Sequence, residues 1–569
     1  MQAASASGAS GGPGKGNMVA KRWGPIVAVV VVIAVGVGVL LATRGDSKSS
    51  TSPSTSPSSA PSTTVASGAT TTAAGGVTTS AAPAVVTFPM SFSQAKAVGL
   101  EKSIDWGSRC DTTTGRVKVP DYFAPECFAP FKGDNGGATT PGVTGSEITV
   151  VNYQGQAGDP IIAYISDAVR VSDTNAQQFA TLKELFRYYE TYYETYGRKI
   201  KLINYEGTGI ANDEVAARAD AAAIAEKYKP FIVLGGPALT SAFGDELAAR
   251  KIMCIGCTPA QPADFYTKRD PYVWGLDGSA IQKQTHVLEF IQKQLVGKNA
   301  SHAGDTFKNT PRKFGLLYLE SSGASKDLAD AFTAAMQKAG APLAQTVAYK
   351  LDPSTIQQTA SQVITKMKSA GVTTIIFAGD PVAPRDFTKE ATGQEYFPEW
   401  VIAASTLVDV TAFGRTYDQQ QWAHAFGVTQ LAARTDPTKF GAYSLYKWFT
   451  GQVPPAPGTV GLLTPNPSLL FAVVQGVGPK LTPQTFRDGL FKAKPTTPGI
   501  SQPYLTYGDK GYWGGVPDYQ GVDDATAIWW NPPGPSTFSS TETTRPASLP
   551  PETRVIRSVA SPSPAPPAF

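Results

Sequence analysis

Along the middle of this chain, apolar and polar positions alternate between two rhythms. Short apolar runs with strand character, Glu147–Val151, Lys199–Asn204, Phe231–Leu234 and Ile252–Ile255, are separated by stretches whose apolar residues recur every three or four positions. Between Thr174 and Tyr196, for example, Phe179, Leu182, Leu185, Phe186 and Tyr189 fall on one helical face. Asp213 is placed to cap an Ala-rich helix running to Tyr228, and a further helix is expected from Thr240 to Arg250. The pattern then repeats. A helix over Ala280–Leu295 leads to strand Lys313–Leu319, helix Lys326–Ala339, strand Gln345–Tyr349 and helix Ser354–Ala370. Strands Thr373–Phe377 and Trp400–Ala403 follow. Strand–helix alternation at this spacing predicts right-handed βαβ units and mainly parallel sheets covered on both faces, and two series in tandem predict two similar α/β lobes.

Both ends of the chain depart from that rhythm. Pro25–Ala42 is a run of eighteen uncharged residues, which as a helix would rise about 27 Å and just span a bilayer's hydrocarbon layer. Lys15, Lys21 and Arg22 precede it and favour a cytoplasmic residues 1–24, although Arg44 and Lys48 weaken the asymmetry. The rival reading is a cleaved signal peptide. It lacks a small-x-small site after Leu41, and no Cys is placed there to take a lipid. A transmembrane anchor over 25–42 is therefore expected, and on either reading the rest is exported. Residues 43–87 are almost all Ser, Thr, Pro, Ala and Gly, a composition that cannot bury enough apolar surface to offset chain entropy; they predict a disordered stalk. Residues 533–569 have the same character and predict a disordered tail.

Composition narrows the functional classes. The 569 residues are 42% hydrophobic and 17% charged, with a net charge of +4, which gives no reason to expect a nucleic-acid partner. The 4 cysteines fall in two close pairs, Cys110 with Cys127 and Cys254 with Cys257, which suits two local bridges in an oxidising compartment. Cys254-Ile-Gly-Cys257 also has redox spacing, but it straddles a strand end rather than a helix start, so a structural bridge is the preferred reading. Zinc would need two more ligands, and His286, His302 and His424 lie in unrelated segments. Outside the Gly-rich N-terminus, where Gly8–Gly12 fits the spacing by composition alone, no G-x-S-x-G occurs, and there is no H-E-x-x-H or phosphate-cradling P-loop, so no catalytic residue, metal or cofactor is assigned. Trp513, Trp529 and Trp530 are expected in core or hinge packing rather than in a cleft.

Several segments, in order, carry a resemblance to a known family. They are Phe231–Pro237, Lys251–Pro259, Tyr272–Asp277 and Tyr504–Gly511. The stretch from Ser146 to Pro532, roughly two thirds of the chain, resembles the type 1 periplasmic binding proteins, in particular the leucine/isoleucine/valine-binding subunits of ABC importers. The resemblance implies two Rossmann-like lobes with a ligand cleft between them and a chain that crosses three times. Residues 146–276 and 404–485 would form the first lobe, 277–403 and 486–532 the second. Residues 88–145, holding Cys110 and Cys127, have no clear counterpart and read as a cap on the first lobe or a partner surface.

Ligand contacts are then expected at the carboxyl ends of both sheets. In the first lobe these are Gly236, Ala238 and Thr240, whose loop could hold an anion at a helix start or simply form a capped turn, with Cys257 and Thr258 on the next loop. In the second lobe they are Ser322 and Asp380, where Asp380 could meet a cationic group or serve as a turn residue before Pro381. Aliphatic amino-acid binders of the family hold the ligand ammonium with a Glu near Ala403–Thr406, where this chain has Ser405. They close over it with tyrosines where this chain has Ala324 and Pro381 or Val382. A branched-chain amino acid is therefore not carried over as the ligand. The expected function is capture of a small polar metabolite, an amino acid, amide or relative, for an ABC permease. The alternatives are a sensing receptor or scaffold on the same fold and, ranked below both, an extracellular enzyme.

Overall fold

The structure, a computed structural model, describes residues 86–530 and 556–558 apart from 121–123, 160–161, 164–165, 167–170, 212, 238–239, 260, 277, 321–322, 351–354, 405–406, 410, 432–440 and 496–503. The expected anchor, the stalk and most of the tail lie outside the described residues. A small hairpin, β1 (Cys110–Asp111) with β2 (Arg116–Val117), precedes the first sheet. That sheet comprises β3 (Glu147–Gln154), β4 (Lys199–Glu206), β5 (Ile232–Leu234), β6 (Met253–Ile255) and β7 (Val273–Trp274) in the order β4-β3-β5-β6-β7, all parallel. Strands β5 and β6 are buried throughout, as strands covered on both faces must be, whereas edge strand β4 exposes Lys199 and Lys201 and half-buries Ile200 and Leu202.

Local chemistry starts the helices where the apolar rhythm predicts them. Thr174 and Gln177 form a reciprocal capping box at helix Asn175–Tyr192, which buries Leu182, Leu185, Phe186 and Tyr189. Asp213 accepts from the Val215 and Ala216 N–H groups at helix Glu214–Tyr228.

The second sheet comprises β8 (Phe314–Leu319), β9 (Leu343–Tyr349), β10 (Thr374–Ala378), β11 (Glu399–Ala403), β12 (Ala425–Thr429), β13 (Asp524–Trp529) and β14 (Ile556–Ser558), in the order β14-β13-β12-β11-β10-β8-β9. Strands β9 to β12 run parallel with β8, and β13 and β14 are antiparallel additions. Alternate residues feed two separate cores. Leu317, Ile375, Phe377 and Trp400 enter one, and Leu316, Ile376, Val401 and Phe426 the other, so helices cover both faces.

The lobe division differs from the expected one. Strand β12 lies in the second sheet, so the segment after 404 does not return at once to the first lobe. Gly427 weakens the strand signal of Ala425–Thr429, yet glycine is needed there: a Cβ would sit 2.2 Å from the Ile402 carbonyl oxygen of β11. Conversely, helix Pro483–Lys492 stays with the first lobe, where Phe486 and Leu490 join Phe231 and Trp274 in its core. The chain thus crosses at about 276–280, after 430, and through 504–523 into β13. The apolar run Val460–Val477, long enough to span a membrane, buries Leu470, Phe471, Val473 and Val474 in the same core.

Residues 86–145 form their own small core around Phe92, Ala95, Trp106 and the Cys110–Cys127 bridge. That cross-link contributes about 3 kcal/mol by restricting the unfolded chain. The extension is stitched to the first lobe by buried Arg198, which donates to the carbonyls of Thr144 (2.7 Å), Pro479 (2.7 Å) and Asn135 (2.6 Å). Arg198 precedes β4, so the extension caps the amino-terminal edge of the sheet, opposite the edge where ligand loops emerge.

Candidate functional site

In each sheet the strand order reverses once. Strand β3 has β4 on one side and β5 on the other, and β8 has β9 and β10. Loops leaving the strands to either side of such a point diverge and open a crevice at the carboxyl ends. Both crevices are present. The first-lobe cavity, about 380 Å³, is lined by the end of β3 and the residues after it (Tyr153–Ala157), by Asp173–Asn175 at a helix start and by Gly236 and Pro237 after β5. The second-lobe cavity, about 250 Å³, is lined by Tyr318 and Leu319 from β8, Ala378 and Gly379 after β10, and Ala403 and Ala404 after β11. Each takes its lining from one lobe only.

The first cavity is built from amides and carboxylates. Gln154 donates to the Asn175 carbonyl (2.9 Å) and accepts from the Asn204 side chain (2.9 Å). The Asn175 side chain donates to the Gly155 carbonyl (2.8 Å) and to Glu206 (3.2 Å). Asp159 accepts the Ala211 N–H (2.7 Å), and Asp173 accepts both the N–H and the hydroxyl of Thr459 (2.7 and 2.9 Å). Behind this wall, buried Asp220 accepts from Tyr205 (2.8 Å), from Tyr153 (3.2 Å) and twice from Thr208 (3.0 and 2.8 Å), fixing the loop after β4. Burial and the Asp220 charge push both tyrosine hydroxyls well above their usual range, so they remain donors.

Of the residues expected from sequence, Gly236 lines the first cavity and Asp380 stands beside the second. A side chain at Gly236 would meet the Cys257 backbone, with the carbonyl oxygen 2.7 Å from the added Cβ. Cys257 is buried, bridged to Cys254 at the end of β6, and presses on that glycine from behind; it does not line the cavity. The bridge ends β6 and lies against Gly244, in the first turn of helix Ala242–Ala249. Thr240 is buried and accepts the N–H of Ala242 (3.1 Å), the first residue of helix Ala242–Ala249, whose N-cap is Ser241. Thr258 packs near Gly244 and lines neither cavity. Ala238, Ser322 and Ser405 lie outside the described residues.

Asp380 turns inward. It is fully buried, receives the Tyr349 hydroxyl, and accepts the N–H groups of Val382 (2.7 Å) and Ala383 (2.9 Å) ahead of helix Pro384–Gly393. Burial pushes its carboxyl pKa up, and the hydrogen bonds partly offset this. Both carboxylate oxygens are engaged within the fold, the contacts of a turn residue. Asp380→Ala strands two N–H groups and a hydroxyl and is expected to lower unfolding free energy by about 2–3 kcal/mol in urea titrations. Asp380→Asn, which keeps the Oδ1 acceptor, should cost less than half of that.

The residues missed from sequence are Gln154, Asp159, Asp173 and Asn175 in the first lobe and Tyr318, Leu328 and Ala404 in the second. The loop after β3 was findable: the first strand of a doubly wound sheet sits at the reversal.

The three crossings are knit together by a buried polar network. His286, just after the first, donates from Nε2 to the Asp523 carbonyl (2.9 Å) and accepts at Nδ1 from Gln430 of the second (3.0 Å). In the third, Asp518 accepts from the Gln282 side chain (3.1 Å) and the Gln520 N–H (2.7 Å), and Asp523 accepts from Thr506 (2.6 Å) and Trp513 (2.8 Å). Burial pushes Asp518 up to about 7 and Asp523 up to about 6, and lowers His286 to about 4.

Two doubly wound lobes, crossed three times and opening a crevice at each reversal point, define a two-lobed binding protein of the type 1 periplasmic fold. A comparison with family models supports this class. A model described as "Periplasmic binding protein" matches residues 171–503, and the chain belongs to that family. Among solved structures, a branched-chain amino acid ABC transporter periplasmic ligand-binding protein from Burkholderia xenovorans is similar at 12% identity and TM-score 0.49, over 72% of this chain and 94% of that one. A fatty acid ABC transporter substrate-binding protein from Thermomonospora curvata gives 13% identity and TM-score 0.45, over 70% and 92%. An isoleucine-bound branched-chain amino acid transporter substrate binding protein from Streptococcus pneumoniae gives 12% and 0.44, over 72% and 100%. The search of curated proteins returns no match.

Proposed function

We propose that this chain is the solute-binding subunit of an ABC importer. It would capture a small hydrogen-bonding metabolite between its lobes and hand it to a permease, tethered to the outer face of the cell membrane by residues 25–42. The observation that carries this reading is the pair of crevices at the two reversal points, each supplied by one lobe. A ligand touching both favours the closed arrangement by its differential contacts, with the crossings as the hinge. Family membership supports an extracytoplasmic location. The Ser/Thr/Pro-rich stretch after the anchor would give the lobes reach from the membrane.

The test is native mass spectrometry of what co-purifies with the full chain, followed by thermal denaturation against amino acids, amides and polyols. A ligand present at 100 times its dissociation constant stabilises by about 2.7 kcal/mol, a readily measured rise in melting temperature. If no small molecule co-purifies or shifts melting, while a protein partner is captured, the reading as a transport subunit gives way to a receptor or scaffold.

A further inference from the structure

The extension ahead of the first sheet has chemistry that the lobes do not account for. Residues 86–145 fall outside the segment matched by the family model, 171–503, and cap the edge of the first sheet opposite its ligand loops. A cavity of about 630 Å³, lined by the extension alone, is larger than either lobe crevice at about 380 and 250 Å³. It lies inside the range of about 300–1,000 Å³ common among ligand sites. Its floor is aromatic. Phe92 and Trp106 are buried with ring centroids 4.9 Å apart, and the Trp106 indole donates to the Glu101 carbonyl (2.8 Å), fixing the segment between them. The rim carries both signs, exposed Lys96 and Lys102 with exposed Asp105. Glu101 completes the lining, and its Oε2 is buried without a hydrogen-bond donor among the described residues. A carboxylate oxygen withdrawn from water and given no donor is costly, so the site is short of one donor that a guest can supply.

We infer that the extension holds a second binding site, separate from the cleft between the lobes, for a short peptide with free amino and carboxyl ends. The peptide's ammonium meets the Glu101 carboxylate, whose half-buried side chain reaches the cavity. Its body lies over Phe92 and Trp106, and its carboxylate meets Lys96 and Lys102 on the rim. Two features select this class. The orphaned acceptor calls for a donor, and a cationic donor makes the stronger, charge-assisted bond. A polyanion would face Glu101 and Asp105, and a polycation would face Lys96 and Lys102, so a molecule carrying one charge of each sign is the complementary guest. The aromatic floor adds apolar contact for small side chains.

The experiment uses the full chain in nanodiscs, with empty nanodiscs as reference, and calorimetric titration of tetraalanine, its N-acetyl form and its carboxyl-terminal amide. Tetraalanine is expected to bind. N-acetylation, which removes the ammonium, should weaken it about tenfold or more. Amidation should weaken it only about two- to threefold, because the rim lysines are exposed. Glu101→Gln, which keeps the shape of the side chain, should weaken tetraalanine about tenfold and erase the difference between the free and acetylated peptides. Acetylation tests the same contact on the unaltered protein, so the result does not depend on how the variant folds. No heat from tetraalanine, or equal affinity for its acetylated form, overturns the site. Tetraalanine binding that survives Glu101→Gln at full strength, acetyl discrimination included, puts the peptide in the cleft between the lobes and equally overturns the assignment of this cavity.

Discussion

Replacing Glu399 by alanine is expected to cost about 3–5 kcal/mol of stability, among the largest losses available to one substitution here. Glu399 and Arg312 are both buried and paired in a fork: Nε to Oε2 at 2.8 Å and Nη2 to Oε1 at 2.9 Å. The carboxylate also accepts the Thr374 hydroxyl (2.6 Å) and the His302 N–H (3.1 Å). Alanine at 399 therefore leaves a guanidinium in the interior with no counter-charge, and desolvation, not the lost attraction, dominates the penalty. Glu399→Gln keeps the shape and two acceptor contacts but not the charge, so it should fall between alanine and wild type. The double change Arg312→Met with Glu399→Leu removes both charges and should recover most of the loss, because a buried pair nets little against a well-packed apolar replacement. Urea titration of the four proteins checks this. A loss below 1 kcal/mol for Glu399→Ala would show that the pair is hydrated. Glu399 and Thr374 begin β11 and β10, at the end of the sheet opposite the cavity, so ligand affinity should stay within about twofold.

Much of the architecture was readable from apolar periodicity because the strands that carry it are buried on both faces. Ile232–Leu234 and Met253–Ile255 have no solvent-facing residue to blur the signal. The lobe boundary was not readable. Its evidence is a glycine-containing strand, Ala425–Thr429, whose place is fixed by contact with β11 rather than by its own propensity. The site divides in the same way. Gly236 could be found because strand, glycine and helix start follow one another in sequence. Asp380 looked like a ligand group for the same reason, yet a carboxylate two and three residues ahead of free N–H groups is equally a cap, and only the fold shows which way it turns. The apolar wall around Leu316, Phe332 and Ile376 was invisible because, in sequence, cavity lining and core are the same residue types.

The crossings carry the second large expectation, a stability that declines as pH rises from 4 to 8. Asp518, displaced from 3.8 to about 7 chiefly by burial and further raised by the Asp523 charge, resists ionisation in the folded chain. Asp523 behaves alike from 3.8 to about 6, eased by its bonds to Thr506 and Trp513 and by the Lys510 charge. For both, the unfolded chain gives up its proton first. Their contribution is therefore complete below pH 3.8 and is lost as pH climbs through the folded values, on the order of 4 kcal/mol for Asp518 and 3 for Asp523. His286 acts in the opposite sense: lowered from 6.5 to about 4 by burial, against its bond to the Asp523 carbonyl and then the Glu289 charge, it costs stability as pH falls through that interval, on the order of 3 kcal/mol. The sum still favours acid, by on the order of 4 kcal/mol between pH 4 and 8. Carboxylates elsewhere in the chain add their own slopes, so the measurement is the difference between wild type and Asp518→Asn. At pH 4 asparagine should be the less stable, because it surrenders one of two acceptor oxygens facing Gln282, Gln520 and Gly521. By pH 8 it should be the more stable, since it has nothing to ionise. Removing the Asp523 charge also relieves Asp518, so the double asparagine variant should gain less than the sum of the singles. A difference that stays flat from pH 4 to 8 would mean that Asp518 ionises in contact with water, and that the lobes are joined by a hydrated hinge rather than a sealed one.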